Sequence, residues 1–205
     1  MKQKWYNYLW IVELLYLVLG VCNILFAWLG IVFFALPLLI AIIGGNKAYC
    51  NKFCGRGQLF GLLGSKLKLS RNVKPPKFLR SRWFRYGFLA WFMTMFCRMI
   101  FSTYKVFTGA PLKETVTLLW TFKLPWNWAD VSMVTPWAAQ FAFGFFSVML
   151  TSTILGLITM VLFRPRSWCV YCPMGTMTQG ICQLKHHGKE TACHGGKSEK
   201  DCRTS

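Results

Sequence analysis

The stretch YLWIVELLYLVLGVCNILFAWLGIVFFALPLLIAII, from Tyr8 to Ile43, decides the fold. Its only charged side chain is Glu13. A helix of about 20 apolar residues crosses a bilayer, so this run is too long for one span and barely long enough for two. A tight turn near Cys22, Asn23 and Trp28 makes it an α-helical hairpin. Two more apolar runs follow, one over about Phe84 to Tyr104 and one over about Pro136 to Phe163. The expected fold class is therefore all-α integral membrane, with about four transmembrane helices arranged as two hairpins. A re-entrant first hairpin is the alternative.

Composition agrees with lipid as the solvent. Of the 205 residues, 55% are hydrophobic and 15% charged, against about 25% charged in soluble domains. The net charge of +18 could mean a nucleic-acid binder, but the cations collect between the apolar runs. Basic residues beside membrane spans are held on the cytoplasmic side. Twenty Lys and Arg fall in the N-terminus, the segment from Lys47 to Arg85 and the tail from Arg164 onward. Only Lys105, Lys113 and Lys123 lie in the connection between the third and fourth runs, with Arg98 inside the third. Both termini are thus expected in the cytoplasm, at the inner or plasma membrane, and no nucleic-acid partner is expected. Lys2 and Lys4 before an apolar run also fit a secretory signal ending at Cys22. Val21 is not the small residue such a cleavage site needs, and a second apolar run follows directly, so an uncleaved helix is expected.

Cysteine spacing carries the chemistry. After the first hairpin comes Tyr49-Cys50-Asn51-Lys52-Phe53-Cys54-Gly55-Arg56-Gly57, and after the second comes Trp168-Cys169-Val170-Tyr171-Cys172-Pro173-Met174-Gly175. Each loop has an aromatic before both cysteines, a Gly or Pro after the second, and a Gly two residues later. The chain reads as a tandem repeat of hairpin plus cysteine loop. Two cysteines so spaced can turn their thiolates toward one centre, while Gly or Pro lets backbone N–H groups approach the sulfurs. Lys47, Lys52, Arg56, Arg164 and Arg166 are expected to favour thiolate and offset an anionic cluster. Cys50, Cys54, Cys169 and Cys172 together offer four thiolates, the complement of one 4Fe-4S cluster. Four thiolates also suit zinc, as in a membrane metal-binding or assembly factor. Cys169 and Cys172 alone could form a thiol–disulfide couple.

These loops resemble the C-x-x-x-C-P motifs of membrane-bound iron–sulfur proteins of the polyferredoxin type. That group includes the membrane subunit of periplasmic nitrate reduction and the transmembrane part of the nitrous oxide reductase regulator. The resemblance covers roughly residues 5–185. It implies cytoplasmic motifs and electron transfer from the quinol pool, hence a quinone as a possible second cofactor and a redox partner protein. By position Cys50, Cys54, Cys169 and Cys172 match the family cysteines, and Pro173 its proline. Gly55 replaces the usual proline, and the second loop has two intervening residues where three are usual. The appended C-x-x-C-x-x-C-x-x-x-C-P cassettes are absent, and Pro111 spoils a flavin attachment match at Thr108-Gly109-Ala110. A chain of redox centres across the membrane is not evident in this sequence.

The expected organisation is residues 1–83 for the first hairpin, loop and basic segment, 84–185 for the second hairpin and loop, and 186–205 for a basic tail. The tail holds Cys193, Cys202, His186, His187 and His194; Cys182 lies in the helix after the second loop. Their spacing matches no compact metal site. Trp120, Trp126, Trp128 and Trp137 mark an interfacial connection, either a plain anchor or a shallow lipid or quinone headgroup site. Leu59, Leu62, Leu63, Leu67 and Leu69 beside Lys66 and Lys68 suggest an interfacial helix on anionic lipid. The basic run from Arg71 to Arg85 could extend that contact or dock an acidic soluble partner. Glu13 and Arg98 are ionisable residues within spans, too far apart for a direct pair; Glu13 could relay protons to a quinone or make a lipid-edge or interhelical hydrogen bond. Cys22 and Cys97 are expected to be packing residues.

Overall fold

Helix α1 (Leu9–Cys22) stops where Asn23 adopts an extended conformation, φ −145° and ψ 117°. The Asn23 side chain accepts the Leu25 N–H at 3.0 Å, and a 3-10 turn over Ile24–Trp28 leads into α2 (Leu29–Gly44). The break lies where the sequence places the turn. The computed structural model describes residues 8–44, 50, 53–119, 121–125 and 134–190, with backbone only for 185–190. The further elements are α3 (Gly55–Lys66), α4 (Arg82–Phe107), β1 (Thr115–Leu118), β2 (Phe122–Pro125), α5 (Pro136–Leu162) and α6 (Pro173–Glu190). A side chain at Gly55 would lie 2.7 Å from the Leu9 carbonyl oxygen. The chain leaving α2 has therefore returned to the end where α1 begins, as a hairpin requires.

Helix α5 is the axis on which the others pack. Its Phe145 and Met149 meet Tyr16 of α1 and Met99 of α4. Further along, Val148 meets Phe92 and Met95 of α4, and Met160 meets Phe60 of α3 with Trp168 and Tyr171. Glycines set these approaches. A Cβ would come within 2.3 Å of the Phe146 ring at Gly20, 2.4 Å of Met99 at Gly144 and 2.4 Å of Phe60 at Gly156. Small residues at such crossings let helices pack closely.

The outward faces are apolar as well. Leu15, Val18, Val32, Leu39, Ile42 and Phe101 are exposed, although water rarely tolerates contiguous apolar patches of that kind. Two helical segments are long and apolar enough to cross a bilayer: Ile24–Gly44 with 21 residues and Pro136–Leu162 with 27. Helix α1 has only 14 residues. Helix α4 has 26 but carries Arg82, Arg85, Arg98 and Lys105, which lower its hydropathy.

Three expectations need correction. The fold is not wholly helical, because β1 and β2 form an antiparallel hairpin pairing Thr115 with Pro125 and Thr117 with Lys123. Thr115-Val116-Thr117 is a β-branched run that fits a pleated surface; Val116 enters the core against Ala142, Phe143 and Phe146. Helix α3 turns part of its apolar face into the protein: Leu59 and Phe60 are buried, whereas Leu67 and Leu69 beyond it are exposed. Cys22 and Cys97 are exposed on the outer faces of α1 and α4 and do not fill the core. Helix α6 continues to Glu190, into the segment expected as tail. Cys193, Cys202 and His194 lie outside the described residues, as do the side chains of His186 and His187. Trp120, Trp126 and Trp128 are also outside them; Trp137 packs edge-on against Trp28 at 6.3 Å.

Candidate metal centre

The second cysteine of each loop begins a helix. Cys54 is the N-cap of α3, and its Sγ accepts the Gly57 N–H at 3.4 Å. Cys172 directly precedes Pro173, the first residue of α6, and its sulfur accepts backbone N–H groups of Gly175 and Met174. The Gly three residues after the cysteine serves the same purpose in both repeats, presenting an amide to sulfur. Each helix also directs the positive end of its dipole toward its cysteine, which favours an anion there.

The two loops meet. A Cβ at Gly57 would sit 3.6 Å from both Cys54 Sγ and Cys169 Sγ, so glycine leaves the space between sulfurs of different loops open. Cys50 Sγ lies 3.6 Å from Thr178 Oγ1 of α6, which brings the first loop onto the helix of the second. Cys169 sits in a 3-10 turn over Ser167–Val170 and is the most exposed of the four. All four cysteines line one cavity of about 300 Å³, together with Glu13, Arg56, Arg80 and Arg85 and the apolar Phe33, Pro37 and Phe92. All four are free thiols. Among the described residues, no three Cys, His, Asp or Glu side chains converge tightly enough to hold a single metal ion. A tetrahedral zinc site needs sulfurs at about 2.3 Å from one ion, whereas a four-iron cluster binds each cysteine at a separate corner. Four separate thiols lining one cavity fit that group.

Arg56 lies two residues beyond Cys54 and is held on all sides. Its Nε donates to Glu13 Oε1 at 2.8 Å, its Nη1 to Ser152 Oγ, and its Nη2 reaches Met149 Sδ at 3.5 Å. Glu13, whose place within a span suggests a proton relay or a lipid-edge or interhelical hydrogen bond, is the counter-ion of the first cysteine loop. Arg98 lies toward the other end of α4, and the two do not pair.

The expected cationic activation of the thiols is outweighed by burial. Burial pushes the Cys54 thiol up to about 12, with a further rise from neighbouring Cys172; the Gly57 N–H and Arg56 act in the opposite direction but do not compensate. Burial raises Cys172 in the same way. Lys47 and Lys52 fall outside the described residues. A metal centre reverses this balance, because a coordinating thiol is deprotonated by the cation itself.

Two segments of the chain, residues 26–76 and 141–187, match a family model described as a 4Fe-4S binding domain. Each matched segment contains one cysteine loop with the apolar run before it and the helix after it. The match supports an iron–sulfur binding protein. No curated protein and no solved structure matches the chain.

Proposed function

We propose that this chain is a membrane iron–sulfur electron-transfer protein in which Cys50, Cys54, Cys169 and Cys172 hold one 4Fe-4S cluster at the cytoplasmic face. The observation that carries this reading is the meeting of two repeat-related cysteine loops around one cavity. Each loop falls within a segment matched to the 4Fe-4S binding family. When bound, such a cluster supplies one-electron transfer. The chain's own residues hold and tune it. Gly57 and Gly175 donate N–H groups to sulfur, Arg56 contributes a fixed positive charge beside the cavity, and Trp168 and Phe92 limit access of water.

The membrane part of the proposal has its own support. Two segments have spanning length, apolar side chains cover the outer faces of α1 and α2, and twenty of the cations lie in the segments assigned to the cysteine side. In the proposed arrangement four helical segments cross or enter the bilayer as two hairpins, with both termini in the cytoplasm. Electrons pass between a quinone or a soluble donor and a partner protein. A zinc-holding assembly factor is the rival, since four thiolates around one cavity also suit zinc; the match to the 4Fe-4S binding family favours the cluster. A dithiol oxidoreductase built on Cys169 and Cys172 leaves the role of Cys50 and Cys54 unexplained.

The test is purification in detergent under strict exclusion of oxygen, followed by visible absorption and low-temperature EPR of the reduced protein. A brown protein with a reducible paramagnetic centre is expected. A colourless protein with one zinc per chain would replace this reading with the assembly factor.

A further inference from the structure

A second cavity, of about 520 Å³, lies between α4, α5 and the β-hairpin, away from the cysteines along α4. Its floor is apolar, from Met95, Met99 and Val148, and its rim carries Arg98, Lys113 and Lys123. The hairpin places these groups by its register. Thr117 pairs with Lys123, so their side chains share one face of the ribbon, and that face lines the cavity while Val116 on the other enters the core. Two hydrogen bonds fix the hairpin to α5: Thr117 N–H donates to Ser147 Oγ at 3.0 Å, and Lys113 N–H donates to Gln140 Oε1 at 3.0 Å. The second bond orients the Gln140 amide, because with its oxygen occupied the Nε2 hydrogens remain as donors.

Among the described residues no carboxylate lines this cavity, and neither the Lys113 nor the Lys123 ammonium has an ion-pair partner. The like charges of Lys113 and Lys123 at one cavity repel each other, and an anion between them turns that repulsion into attraction. The Ser102 and Thr115 hydroxyls and the Gln140 amide add neutral donors suited to several oxygens of one group. We infer that this cavity binds a phosphate-type oxyanion, with Lys113 and Lys123 as its principal charged contacts. The group can come from solution or from the headgroup of an anionic phospholipid, whose glycerol end would rest on the methionine floor. This site is separate from the cysteine cavity and does not depend on the cluster.

The full chain in detergent tests the inference in two arms. Calorimetric titration with sodium phosphate at constant ionic strength reads the soluble source. Native mass spectrometry after addition of phosphatidylglycerol or phosphatidylcholine reads the lipid source. The exposed substitutions Lys113→Gln and Lys123→Gln are compared with Lys105→Gln, an exposed cation of α4 outside this cavity, and unchanged melting temperatures show that each variant is folded. The double variant at the second cavity is expected to weaken binding about tenfold or more, as for loss of charged hydrogen bonds, with the Lys105→Gln control unaffected. Saturable phosphate binding so weakened identifies a soluble oxyanion. Preferential retention of phosphatidylglycerol so weakened identifies the lipid. Binding in neither arm, or binding equally strong in the double variant, overturns the proposal.

Discussion

Arg56 and Glu13 form a buried ion pair, with the guanidinium 2.8 Å from the carboxylate and side-chain exposures of 17% and 6%. The pair ties the first cysteine loop to the opening turns of α1. Removing one member of a buried pair leaves the other charge unpaired, at a cost of about 3–5 kcal/mol. Glu13→Ala is therefore expected to lower stability by about that amount, and Glu13→Ala with Arg56→Met together should cost less than Glu13→Ala alone. Thermal unfolding in detergent checks both. A Glu13→Ala protein as stable as the parent would mean that the pair does not hold the loop.

The close helix crossings make a ranked prediction. Gly156→Ala places a methyl group 2.4 Å from the Phe60 ring and is expected to cost about 1–3 kcal/mol as overpacking. Nothing lies within 4 Å of a Cβ at Gly87, so Gly87→Ala in α4 should gain about 0.5–1 kcal/mol from reduced backbone entropy. Melting temperatures of the two variants should fall on opposite sides of the parent. The reverse order would contradict the packing of α3 on α5.

Cluster retention should depend on pH in a definite direction. The Cys54 thiol is pushed up to about 12 by burial, so it is protonated near neutrality, and coordination must displace that proton. Ligand deprotonation makes metal binding stronger as pH rises. Iron retained against a fixed chelator should therefore increase from about pH 6.5 to about pH 8.5. Retention independent of pH would argue against buried thiols as the ligands.

The proposed orientation predicts opposite labelling from the two sides of the membrane. Glu114→Cys, beside the hairpin, should react with an impermeant maleimide in intact cells, whereas Lys68→Cys, after α3, should react only once the membrane is opened. Peptide mapping separates each label from those on native cysteines. Equal labelling at both positions in intact cells would remove the proposed topology.

Much of the frame could be read directly from the residues. The break at Asn23 follows from one polar residue in an apolar run, and the pairing of the loops follows from aromatic–Cys and Cys–Gly/Pro spacing repeated after two hairpins. The Gly57 amide on Cys54 sulfur was expected for the same reason. The Glu13–Arg56 pair was not legible, because it joins residues distant in sequence and depends on α3 folding back on α1. Leucines alternate with lysines near the end of α3, which reads as an interfacial helix, but Phe60 packs on α5 and Leu59 is buried; periodicity cannot tell a protein neighbour from lipid. The hairpin is hard to read from the residues because Thr115–Leu118 is short and lies in a Trp-rich connection. Its Thr-Val-Thr alternation was the available signal.

Iron and acid-labile sulfide per chain, measured on anaerobically purified protein and on its Cys50→Ser and Cys169→Ser variants, test the central claim most directly. One cluster shared by the two loops predicts about four iron and four sulfide in the parent, and loss of the chromophore whichever loop is altered. Full iron and sulfide content in either variant, or none in the parent, would contradict it.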